Sequence, residues 1–292
     1  GMLLQMAGGP HDWLEGRGPV MSLLAGIDDA TGTVPYAIFR LQEDTLGYFL
    51  LLQGIVDRKG CPVAIYRDRH SIFETSTKAP MSLQEQLAGR REPTQFGRLL
   101  EELGITSIPA RSPQAKGRIE RLWGTLQSRL VSEMRLKGVT DLEEANRFLV
   151  TFLHRYNRRF AVPAAEEGSA WRPLPEDMDP HRVFCLKQHR VVAADNTVSL
   201  SPHRLQLLPS AQRASYARAE VEICEQLNGS LVVYHEGQPV PSRPAPLEAS
   251  ALRTQAEAKG AREGQQGPSQ PSPAPRKPRG NPDWGRHFTL PH

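Results

Sequence analysis

Two acidic residues stand out by their settings, Asp68 and Glu120. Asp68 closes the run Val63-Ala64-Ile65-Tyr66-Arg67-Asp68, an apolar strand pattern begun by Pro62. In sheets flanked by helices the strand ends gather functional side chains along one edge, which makes this aspartate a sharper candidate than the others. The plain alternative is a turn or cap residue, since turns favour Asp without any chemistry. Glu120 lies in Ser112–Leu130, SPQAKGRIERLWGTLQSRL, where Ser112 suits an N-cap and Pro113 the first helical position. Lys116 precedes Glu120 by one turn, and Arg118, Arg121 and Arg129 flank it. A solvated Lys116/Glu120 pair, worth about 0.2–0.5 kcal/mol, is the bland account. The other is a carboxylate set among cations for work on an anionic partner.

The elements that must position these residues follow from periodicity. Ile119, Leu122, Trp123, Leu126, Leu130 and Met134 recur at spacings of three and four, so the Glu120 segment is a helix with one buried stripe. Before it the pattern predicts strands at Leu3–Met6, Ser22–Ile27 and Val34–Leu41, with a turn at Ala7-Gly8-Gly9-Pro10. A helix follows from Asp44 to a stop at Gly60, then the Asp68 strand, a polar stretch from Glu74 to Glu92 with little periodicity, a short helix Gln95–Leu103 and a strand Ile105–Pro109. Thr140-Asp141-Leu142-Glu143 opens a further helix ending in the basic His154-Arg155-Tyr156-Asn157-Arg158-Arg159, which the helix dipole alone accounts for. This alternation implies an α/β fold, a mixed sheet with helices against it.

Beyond the core, 163–181 is a proline-rich linker. Six short β-like runs between residues 182 and 238, with an Asn228-Gly229 hairpin signal, suggest a small antiparallel β-barrel. Residues 239–292 read as a disordered basic tail able to add weak attraction to a polyanion. The α/β core therefore spans 1–162.

The 292 residues carry a formal net charge of +4, which permits an anionic partner without requiring one. Distribution decides more: from Arg90 to Lys137 ten Lys or Arg stand against five Asp or Glu. Cys61, Cys185 and Cys224 are far apart and lack metal-site spacing, which argues against a zinc site or a disulfide framework and favours a reducing cytoplasm. No apolar run approaches the roughly 20 residues of a membrane span. Gly1 before Met2 reads as the remnant of a cleaved tag.

With Asp68 and Glu120 placed, the chain resembles the integrase catalytic core of bacterial insertion-sequence transposases of the DDE type, with a ribonuclease-H-like fold. The resemblance rests on Gln5-Met6-x-Gly8 with His11-Asp12-Trp13, on Ile27-Asp28-Asp29-Ala30-Thr31-Gly32, and above all on Ser112-Pro113-Gln114-Ala115-Lys116-Gly117-x-Ile119-Glu120-Arg121. Asp195-Asn196-Thr197-Val198 and Leu205–Pro209 are similar to the small barrel that follows such cores. It implies a fold in which three carboxylates hold two Mg²⁺ or Mn²⁺ ions for DNA cleavage and strand transfer. Asp68 is then the second carboxylate and Glu120 the third, with Lys116, Arg118, Arg121, Arg67 and Arg111 as nucleic-acid contacts. The implied partner is double-stranded DNA, both element ends and target, in a nucleoid-associated cytoplasmic protein. Self-association into a homo-oligomer is compatible with that role.

The first carboxylate of the family belongs in the position after Met6, and here that residue is Ala7. A methyl group cannot ligate a cation. Of the nearby aspartates Asp12, Asp28 and Asp29, Asp28 is the better substitute, yet the family carries an aspartate there without using it as a ligand. Ala7 reads either as natural decay or as an engineered inactivation. Transposases of this type also carry an N-terminal helix-turn-helix region, whereas this sequence starts almost at the first strand. The expectation is a transposase core that binds DNA and is catalytically impaired. The alternatives are a non-enzymatic DNA-binding or assembly module and, less favoured by the basic patch, a ribonuclease-H-like nuclease.

Overall fold

The computed structural model describes residues 1–75, 80–110, 117–210 and 213–246. Its first sheet begins with three strands, β1 (Leu3–His11), β2 (Met21–Asp28) and β3 (Tyr36–Arg40), joined as an antiparallel meander. Helix α1 (Thr45–Lys59) then carries the chain back so that β4 (Ala64–Arg67) lies parallel to β1. After a short helix α2 (Leu83–Ala88), α3 (Gln95–Glu102) feeds β5 (Thr106–Pro109) parallel to β4, and the strand order is β3-β2-β1-β4-β5. Helices α4 (Gly117–Leu136) and α5 (Leu142–Phe160) complete the layer architecture. This is the mixed sheet flanked by helices that the alternation predicts.

Alternation along the strands divides the core in two. Ala7, Leu23, Ala25 and Ile27 face one way and pack with Ile119, Leu122, Leu126 and Leu130 of α4 and with Leu149 and Phe152 of α5. Leu4, Met6, Leu24 and Ile65 face the other way, against Tyr48, Phe49, Leu52 and Ile55 of α1 and Phe96 and Leu99 of α3. With a layer on each side, β2 is buried at all eight positions. Trp13, 1% exposed, fills the first core and meets Phe39 edge-on with ring centroids 5.5 Å apart.

Two expectations within this part change. β1 does not turn at Ala7-Gly8-Gly9-Pro10. Its pairing with β2 runs on through Gly8↔Leu24 and Pro10↔Ser22 to His11↔Met21, because an antiparallel partner on one side suffices to hold these weak strand formers extended. The stretch Glu74–Glu92 contains α2, which lacks an apolar stripe but has a capping box: Glu85 N donates to Ser82 Oγ and Ser82 N to the Glu85 carboxylate.

The sheet edge at β3 is closed by side chains. Asn146 of α5 pairs both backbone groups of Phe39, accepting from its N–H at 2.8 Å and donating to its C=O at 3.1 Å. Asn157, three turns on, does the same for Val34, with both bonds at 2.8 Å. Each amide reproduces the pairing of a missing strand.

Residues 163–181 are tied to the core instead of running free of it. Arg172 forms a bridge with Cys61, and its guanidinium donates to the carbonyls of Leu103 and Gly104. Gly60 permits this approach: its φ is 96°, and a Cβ there would meet Arg172 O at 2.3 Å. Gly1–Arg243 accordingly form one compact unit.

The remaining strands are β6 (Cys185–Val191), after the one-turn helix α6 (Pro180–Val183), then β7 (Thr197–Leu200), β8 (His203–Leu207), β9 (Glu220–Gln226), β10 (Leu231–His235), β11 (Gln238–Val240) and β12 (Ser242–Pro244). They form two sheets, β11-β10-β9-β6 and β12-β8-β7, over one core of Val198, Leu205, Leu207, Val221, Ile223 and Val233. The expected closed barrel is not found among the described residues. Chain continuity from β6 to β7 and from β11 to β12 joins the two sheets in place of hydrogen-bonded strand pairs. Strand structure also extends past 238, where the basic tail was expected to begin; residues 247–292 lie outside the described ones. Helix α3 fastens this part to the core: Gln95 pairs both backbone groups of Lys187, and Arg98 donates to the carbonyl of Cys185.

Candidate functional site

The site is built on a fork in the sheet. β1 and β4 pair at Leu3↔Ala64, Leu4↔Ile65 and Gln5↔Tyr66 and then part, while β1 stays paired with β2 to His11. The same offset carried two residues on sets Ala7 level with Asp68, at the mouth of the fork. Gln5, 4% exposed, shares Ala7's face of the strand and fixes the helix above it. Its Oε1 accepts from Ile119 N at 3.2 Å, and its Nε2 donates to Asp29 Oδ1 at 2.8 Å. Arg118 Nε lies 3.2 Å from that same Asp29 oxygen. The first turn of α4, with Glu120 next to Ile119, is thereby indexed to β1 and to the turn after β2.

Ala7 and Asp68 thus stand level on neighbouring strands, and Glu120 lies in the first turn of the helix packed over β1. Asp68 accepts from His70 N at 3.0 Å through Oδ1. Glu120 is exposed. Ala7 is 6% exposed, and its methyl group packs in the core with Ile119 and Leu122.

A further carboxylate borders the fork from the α1 side. Tyr48 donates to Glu43 Oε1 at 2.6 Å, and a Cβ on Gly8 would lie 2.9 Å from Glu43 Cδ and 3.0 Å from the Tyr48 oxygen. Gly8 is therefore the residue that lets this pair reach the strand. Burial, then the charges of Glu43 and Asp68, push the Tyr48 phenol far above its ordinary range, so it stays a donor. Sequence reasoning missed Glu43 and Tyr48: nothing local marks a glutamate just before a helix cap, and Tyr48 reads as core.

Arg67 does not serve as an exposed nucleic-acid contact. It is 6% exposed, and its guanidinium donates to Ser107 Oγ at 3.0 Å, to the Asp68 carbonyl at 3.0 Å and to Glu74 at 3.2 Å. Its role here is to hold the end of β4, because alternation turns it into the sheet's interior while Asp68 emerges. Arg118 is half-exposed and shared with Asp29, and Arg121 is exposed, its Nε donating to Gly117 O. Arg111 and Lys116, with Ser112 and Pro113, lie outside the described residues.

Asp28 is no substitute for Ala7. It stands opposite Leu4, three residues or about 10 Å along the strand from Ala7's level. Its carboxylate is taken up in its own turn, accepting from Thr31 N at 3.0 Å and from Thr31 Oγ1 at 2.6 Å. Asp12 accepts from Gly16 N in its own loop. Among the described residues no three His, Cys, Asp or Glu side chains converge as metal ligands would, and no helix is long and apolar enough to cross a membrane.

No family model matches the chain. It is 38% identical over 244 residues to "Putative transposase y4bF" of Sinorhizobium fredii, a match covering 83% of this chain and 52% of that protein. It is 36% identical over 193 residues to "Transposase for insertion sequence IS1202" of Streptococcus pneumoniae, covering 66% of this chain and 39% of that protein. The chain therefore spans about half, or less, of the length of these curated relatives. Among solved structures it is similar to a simian T-cell lymphotropic virus intasome in complex with a PP2A regulatory subunit, with 14% identity, a TM-score of 0.39, and coverage of 84% of this chain and 79% of that one. The HTLV-2 integrase catalytic core domain in complex with magnesium gives 14% identity and a TM-score of 0.35 over 50% of this chain and 79% of that one.

Proposed function

The chain is related by sequence to insertion-sequence transposases, and from that premise we propose that it is a ribonuclease-H-like transposase core that binds double-stranded DNA but has lost efficient cleavage and strand transfer. Residues 1–162 carry the catalytic frame, the β-rich part follows it, and the basic tail adds weak attraction to DNA. One observation carries the reading: the strand register that sets Ala7 level with Asp68, under a helix turn that Gln5 holds in place. A frame fitted to three carboxylates contains two.

The donor set decides the metal question. A pair of hard divalent cations a few ångströms apart needs a carboxylate that bridges them, and the position for it holds a buried methyl group. The residues present do not fit a two-ion centre, so no catalytic step is assigned through one. What Asp68 and Glu120 retain is negative charge, with the cations Arg118 and Arg121 beside Glu120 on α4.

The test is nicking and strand transfer with Mn²⁺ on supercoiled and pre-cleaved duplex DNA. The unmodified chain should stay at background and Ala7→Asp should gain on the order of 10²-fold or more, the scale of restoring one preorganised electrostatic group. That gain should vanish on adding Asp68→Asn or Glu120→Gln. Substantial activity in the unmodified chain would overturn the impairment. The second reading, a non-enzymatic DNA-binding or assembly module, is favoured by the same Ala7, and it wins if Ala7→Asp stays inert while duplex binding persists.

A further inference from the structure

The end of α5 is basic, and the helix dipole explains a basic last turn by itself. It does not explain an arginine from the middle of another helix meeting it there. Arg129 of α4 places its guanidinium 5.4 Å from the centre of the Phe160 ring, and Arg159 lies 5.6 Å from the same centre. Phe160 is 38% exposed, and Arg129, Arg158 and Arg159 are all exposed. None of the three arginines has a carboxylate partner among the described residues. Arg155, one turn before Arg159, differs: its guanidinium is taken by Glu133.

The ring orients two guanidiniums without neutralising them. A cation over an aromatic face gains on the order of 0.5–1 kcal/mol at an exposed site, enough to reduce the freedom of a long side chain while its N–H donors stay outward. Charge left unneutralised and preoriented is suited to phosphate oxygens, which Arg can grip with two parallel hydrogen bonds.

The position of this cluster extends the site. Val162 N donates to Thr31 O at 2.9 Å, so the chain leaving Phe160 lies on the turn after β2. Asp29 of that turn holds Arg118. Arg121 and Arg129 are two turns apart on α4, about 12 Å. The exposed cations run from the first turn of α4 along its length to the end of α5.

We propose that Arg129 and Arg159, gathered around Phe160, form with the exposed Arg158 beside them in the chain a phosphate-contacting surface for duplex DNA that continues the basic rim of the fork along the outer face of α4 and α5. This rests on the DNA-binding reading above, and it adds where the duplex runs once it leaves the fork.

The experiment measures binding of the full chain to a fluorescently labelled random-sequence duplex as a function of salt. Each phosphate contact contributes about 0.9 to the slope of log affinity against log salt. Arg129→Gln/Arg158→Gln/Arg159→Gln should therefore flatten the slope by about 2 to 3, while the corresponding triple Lys variant keeps most of it. Should the triple variant melt early, Arg158→Gln alone, at an exposed side chain, should flatten the slope by about 0.9. An unchanged slope and affinity in a folded Gln variant overturn the surface and leave the DNA-binding reading intact. Loss of single-stranded RNA binding with duplex binding retained also overturns it. No duplex binding by the unmodified chain, even at low salt, overturns both.

Discussion

Helices α1 and α4 lie on opposite faces of one sheet and are held by different means. α1 is closed within its own sequence: Asp44 caps its first turn by accepting from Gly47 N at 2.7 Å, and Gly60 caps its last. Eight of its 15 residues are buried, so it is packed around more than half its circumference. α4 buries six of 20 and leaves a long open face. Its first turn is held from outside, by a glutamine on β1 and an aspartate on the turn after β2. A helix that only fills space can be fixed by caps and packing. One that must present a side chain at a chosen point needs contacts that set its rotation and height against the strand carrying the other members of the site.

That contrast can be broken from either side. Phe49→Ala removes a fully buried ring of α1 that meets Phe96 edge-on, and should cost about 3–5 kcal/mol in denaturant unfolding. Gln5→Leu keeps the volume but strands Ile119 N and frees Asp29, and should cost about 1–3 kcal/mol. Its signature is local: amide exchange should quicken over Gly117–Arg121 while Thr45–Lys59 stays protected. Equal loss of protection in both helices would erase the distinction between them. Asp44→Ala should have the smallest effect, about 1 kcal/mol, and should fray only the start of α1.

The parts of the fold fixed by local chemistry were legible in the residues. Asp44 and Gly60 bracket α1, Asp141 caps α5, and Asn228-Gly229 joins β9 to β10 as the hairpin signal predicts. The capping box of α2, Ser82-x-x-Glu85, is local too, but the segment lacks the apolar periodicity by which a helix is read from sequence. What escaped depends on partners distant in sequence. Gly8 and Pro10 signal a turn until β2 is beside them, and Arg67 looks like a surface cation until Ser107 and Glu74 enclose its guanidinium. At the site, Asp68 and Glu120 were readable as a strand end and a helix flank. That Ala7 stands level with Asp68 is a statement of register, and register exists only between strands.

The burial of Ala7 bears on its own restoration. An aspartate there would put a charge into a place now filled by a methyl group against Ile119 and Leu122, so Ala7→Asp exchanges folding stability for chemistry unless a cation is bound beside it.

The amides of Asn146 and Asn157 have a consequence for crowding. Several copies drawn onto one stretch of polymer would meet at high local concentration, where exposed strand edges recruit one another and seed aggregates. At β3 the backbone of Phe39 and Val34 is already engaged by side chains of the same molecule. The opposite edge offers only the four residues of β5, ended by Pro109. Within this sheet a neighbouring copy finds little strand to add to.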